Sequence, residues 1–63
     1  MVDIAVEHHG SLFLLQPLTE QAFDWLRQHV DEGGEWVVSA LVVEPRDVFH
    51  ILRRALEDGL QIR

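Results

Sequence analysis

A chain of 63 residues with no cysteine must fold on packing alone or on a partner. No disulfide framework and no thiolate zinc site can supplement a core this small. The length makes a single domain, 1–63, near the lower size at which a chain folds by itself. Hydrophobic residues form 48% of it and charged residues 25%. That is too apolar for a disordered acidic tail, so a packed core is expected.

The apolar residues change period along the chain, and the changes define the elements. Val2, Ile4 and Val6 alternate with Asp3, Ala5 and Glu7, which is the period-two pattern of a strand with one face in the core. His8, His9, Gly10 and Ser11 interrupt it, and Leu12–Leu15 follow at once. The two runs read as an antiparallel hairpin in which Gly10 supplies the unusual turn dihedral. Pro17 closes the second strand.

From Thr19, a natural N-cap, the period becomes helical. Ala22, Phe23, Leu26 and Val30 share one face of a helix expected over about Glu20–Val30, and Asp31–Glu35 end it in an acidic, glycine-containing loop. Trp36–Val43 is nearly continuous in apolar and β-branched residues, and reads as one central strand. Pro45 suits the first turn of a second helix over about Pro45–Asp58, whose stripe is Val48, Phe49, Leu52, Ala55 and Leu56 with Ile51 on its edge. Gly59 is placed to terminate it in the left-handed conformation, and Leu60–Ile62 can return to the sheet edge. The expected fold is α+β with ββαβα(β) order: a three- to four-stranded, mainly antiparallel sheet with two helices packed on one face.

Helices on one face leave the other face uncovered. If Leu12 and Leu14 point toward the helices, Phe13 and Leu15 point away and form an apolar contact surface with one alternating set from Trp36–Val43. Phe13 and Leu15 are therefore the candidate residues of an apolar interface, either for a homodimer or for a partner protein.

The charge is lopsided. Eleven carboxylates face five arginines and no lysine, a formal net charge of −6, so the surface field is negative over wide areas. Such a field repels nucleic acid directly and attracts basic protein surfaces, including those that hold DNA. The candidate contact acids are Glu20 and Asp24, one turn apart on the first helix; Asp31, Glu32 and Glu35 just beyond it; and Glu57 and Asp58 at the end of the second. A solvated acidic face also keeps a small apolar domain in solution. Arg53 can pair with Glu57 at the favourable four-residue spacing.

The residues of common chemistries are not in their usual patterns. His8, His9, His29 and His50 lack the HxxxH spacing and any cysteine partner, so no metal ligand set is expected. Ser11, Thr19 and Ser39 are the only hydroxyl side chains, and each has a turn, cap or strand position to explain it. Gly33-Gly34 lacks the lysine of a phosphate loop. No cofactor and no catalytic residue is assigned, and a non-enzyme is expected. No apolar run reaches the roughly 18 residues of a membrane span, and Met1–Ala5 carries Asp3 and no basic segment. A cytoplasmic location is the corresponding expectation.

In size, acidity and element order, with its Asp31-Glu32 and Glu57-Asp58 clusters, the chain resembles the small phage-encoded anti-CRISPR inhibitors. The resemblance implies a protein that binds a DNA-recognising subunit of a bacterial type I CRISPR surveillance complex at its basic channel, mimics nucleic acid and blocks target recognition. That group shares no motif, so no residue is carried over by position, and Arg53 and Arg54 depart from a purely acidic mimic. The other reading is an antitoxin-like regulatory module that binds itself or a partner through the apolar sheet face.

Overall fold

Two-residue turns set the register of the sheet. In the computed structural model, which describes residues 1–30 and 35–63, strands β1 (Ile4–His9) and β2 (Leu12–Pro17) pair antiparallel around Gly10-Ser11. Gly10 has φ +60° at the first turn position only, the pattern of a II′ hairpin turn that glycine adopts without strain. Helix α1 (Glu20–His29) follows, then strands β3 (Glu35–Val37) and β4 (Ala40–Val43), and helix α2 (Pro45–Glu57). The four strands form one antiparallel sheet in the order β1-β2-β4-β3. The chain is thus α+β with two helices on a four-stranded sheet, in the order ββαββα. Among the described residues no helix is long and apolar enough to cross a membrane.

The segment expected as one central strand, Trp36–Val43, is a second hairpin. Val37 pairs with Ala40 across a turn of Val38 and Ser39, and Val38 takes φ +60°. A β-branched residue in this region is strained by roughly 1–2 kcal/mol. Neither glycine nor asparagine marks the turn, so the sequence looks continuous there. We expect Val38→Gly to raise stability by about 1 kcal/mol, strain relief exceeding the entropy that glycine adds to the unfolded chain. Urea unfolding should show a higher midpoint at unchanged slope; an unchanged or lower midpoint would count against the strain.

The core lies on one sheet face. Val6, Leu15, Leu41 and Trp36 form a row across all four strands by successive pairing, and Ile4, Leu15, Leu41 and Val43 are buried against Ala22 and Leu26 of α1 and Val48 and Ala55 of α2. Phe23 of α1 meets Trp36 at 5.2 Å between ring centroids. This reverses the expected phase of β2. Leu15 is fully buried and Phe13 packs on the core, while Leu12 is 41% exposed and Leu14 partly exposed. The physical reason is the hairpin register: Leu14 sits opposite Glu7, and a charged residue with no buried partner belongs on the solvent face. Phe13 and Leu15 therefore do not form an exposed interface.

The stripe of α2 is also rotated from expectation. Val48 and Ala55 mark its centre, with Ile51 and Leu52 packed beside them, and Phe49 and Leu56 are 73% and 59% exposed. The helix ends in a Schellman motif: Leu60 N–H donates to Ala55 O at 3.0 Å and Gly59 N–H to Leu56 O at 3.1 Å, with Gly59 at φ +93°. Leu60–Ile62 returns to the sheet as a single parallel bridge, Ile62 to Ile4, in place of a full edge strand.

Asp3 fastens three parts of the chain. Its Oδ1 accepts from the Thr19 hydroxyl at 2.9 Å and its Oδ2 from Gln61 N–H at 2.9 Å. Thr19 Oγ1 in turn accepts from Ala22 N–H at 3.1 Å, the expected N-cap. These donors, Gln61 N–H first and Thr19 second, lower the Asp3 pKa. A lowered folded-state value means the carboxylate stabilises the fold above the ordinary 3.8 and loses that contribution as the pH falls through the folded value. Asp3→Ala should therefore unfold at lower urea than the parent at pH 7, and the two should converge in acid below about pH 3.8. A gap that stays as large in strong acid as at pH 7 would rule out the carboxylate as its source.

Candidate interaction surfaces

The structure does not gather the seven candidate acids on one surface. Asp31 and Glu32 lie outside the described residues. Glu20 and Asp24 are exposed on the outer side of α1, where they line a shallow groove with Gln21, Trp25 and Gln28. Glu35 starts β3 opposite Val42, on the sheet face turned away from both helices, and so on the opposite side of the molecule from α1. Glu57 pairs with Arg53 at 3.7 Å, the spacing expected from the sequence.

Asp58, the C-cap of α2, serves as an internal acceptor. Its Oδ2 accepts from Trp25 Nε1 at 2.7 Å and lies 3.8 Å from Arg54 Nε and 3.9 Å from His29 Nε2. His29 stacks on Trp25 at 4.3 Å and 15°. Its Nδ1 is 2.9 Å from the Trp25 carbonyl oxygen, which can only accept, so Nδ1 carries the proton and Nε2 is left facing Asp58. Trp25, His29, Val30, His50, Ile51 and Arg54 line the groove between the helices around this cluster. The sequence reading missed the link because Trp25 and Asp58 are 33 positions apart and on different helices. Trp25→Phe keeps an aromatic ring beside His29 and removes the N–H together with part of the indole, which packs on the core. We expect it to lower unfolding stability by about 1 kcal/mol, measured in urea; no change would show the hydrogen bond to be dispensable.

Four of the five arginines lie near acids or rings. Arg46 meets Glu44 at 3.1 Å, Arg53 and Arg54 meet Glu57 and Asp58, and Arg27 lies over the Phe23 ring at 5.7 Å. All of these contacts are exposed and individually weak. Among the described residues, Glu20, Asp24 and Glu35 have no cation within 4 Å. Among the described residues no three histidine or carboxylate side chains converge on a metal position, and no polar or charged side chain is buried. Chemically, what these surfaces offer is unpaired carboxylate on α1 and a mixed apolar and acidic face on the sheet.

No protein family model, curated protein or solved structure matches the chain.

Proposed function

We propose that the chain is a small non-catalytic inhibitor that docks on a basic nucleic-acid-binding protein, with Glu20 and Asp24 of α1 making the charged contact. The observation that carries this reading is that, among the described residues, these two carboxylates, one helical turn apart and exposed, have no cation partner, in a chain of net charge −6. Carboxylates four residues apart on a helix cost it roughly 0.2–0.5 kcal/mol, and a basic partner relieves that repulsion while complementary fields speed association. Asp58 and Glu57 are committed within the chain and contribute less. The resemblance to small anti-CRISPR inhibitors in size and acidity supplies the particular partner: a DNA-recognising subunit of a type I CRISPR surveillance complex.

The test is surface-immobilised binding to a purified type I surveillance complex, with and without target DNA. The parent should bind, compete with DNA and weaken as salt rises. Glu20→Gln with Asp24→Asn should cut the association rate by about tenfold. Failure of the parent to bind, or binding indifferent to both salt and the double substitution, would contradict the proposal.

A further inference from the structure

We propose a second docking surface, independent of α1: the outer face of the sheet binds an amphipathic helix whose apolar stripe lies on Leu14 and Val42 and whose flanking basic side chains reach Glu7 and Glu35. The pairing of the strands places these four residues in one row. Glu7 is opposite Leu14, Leu14 opposite Val42 and Val42 opposite Glu35, so the side chains share the face that neither helix covers. The row reads acid, apolar, apolar, acid. Leu12, 41% exposed, and the partly exposed Ala40 extend the apolar strip along β2 and β4.

The spacing fits a helix. The backbones of Glu7 and Glu35 are three strand spacings apart, about 14 Å, and a helix with its side chains is about 10–12 Å across. A helix laid along β2 and β4 would bury its apolar stripe on Leu14 and Val42 and hold a carboxylate on each flank. Charge complementarity therefore selects lysine or arginine beside that stripe. Among the described residues the one salt-bridge contact of either acid is His9 Nε2, 3.7 Å from Glu7, and both side chains there are 59% exposed, which leaves the carboxylate free to exchange partners.

A second copy of the chain does not fit as well. Two-fold pairing of this face with itself sets the rim carboxylates of one copy against those of the other, and each copy carries a net charge of −6.

The experiment uses a synthetic peptide of about 18 residues, a leucine stripe flanked by lysines, and its counterpart with glutamate in place of lysine. Amide shifts of the labelled protein locate the contact and give the affinity. The lysine peptide should perturb β1, β2, β4 and β3 and bind at least about tenfold more tightly than the glutamate peptide. Leu14→Thr with Val42→Thr, which keeps strand propensity, should weaken it by about tenfold. Glu7→Gln with Glu35→Gln, at exposed positions, should also weaken it and flatten its salt dependence, and remains informative if the threonine pair unfolds. Equal affinity for both peptides, or indifference to the glutamine pair, would overturn the proposal. Shifts confined to Glu20–His29 would overturn it too, while leaving the α1 reading intact. A parent dimer that the threonine pair dissociates in sedimentation would give the face to a second copy and likewise overturn it.

Discussion

Among the described residues two helices, of 10 and 13 residues, cover a four-stranded sheet, and both lie on the same face. One-sided coverage is the constraint from which the rest of the structure follows. It fixes the row Val6, Leu15, Leu41 and Trp36 as interior, and thereby assigns Glu7, Leu14, Val42 and Glu35 to the opposite face. A small domain buries a low fraction of its surface, and here the face turned from the helices carries the partly exposed Leu14 and Val42. Phe49 and Leu56 on the flank of α2 are exposed for a related reason, since the helix turns Val48 and Ala55 into the core.

Local devices compensate for the thin core. Asp3 joins the first residues to the cap of α1 and to the returning C-terminal segment, which lies along β1 through the Ile4–Ile62 bridge and covers part of an edge that would otherwise present unpaired amides. Asp58 joins the ends of α1 and α2 through the Trp25 indole. The −6 charge is therefore not a uniform coat. Some carboxylates hold the fold together, some pair with arginine on α2, and Glu20, Asp24 and Glu35 face outward with no cation among the described residues within 4 Å.

Much of the fold was legible in the residues, and the misses have specific causes. Thr19, Pro45 and Gly59 carry their backbone roles in their chemistry, so both helices lie where their signals put them. The turn at Val38 was not legible, because the residue that occupies it is among those least suited to a positive φ. The phase of β2 was legible but only through its partner. With Leu12, Phe13, Leu14 and Leu15 all apolar, alternation within the strand is ambiguous, whereas the two-residue turn at Gly10-Ser11 sets Leu14 opposite Glu7 and decides it. The row of mixed character on the outer face was hidden for the same reason, as it exists only across four strands. The role of Asp58 needed the packing of one helix against another, which no spacing within either helix encodes.

The most direct measurement is the solvent exposure of methyl groups on the two sheet faces, read by NMR as line broadening from a soluble paramagnetic probe. One-sided coverage predicts more broadening at the partly exposed Leu14 and Val42 than at the buried Leu15 and Leu41. Protection at Leu14 and Val42 with broadening at Leu15 would contradict the register and, with it, the outer-face row of Glu7, Leu14, Val42 and Glu35.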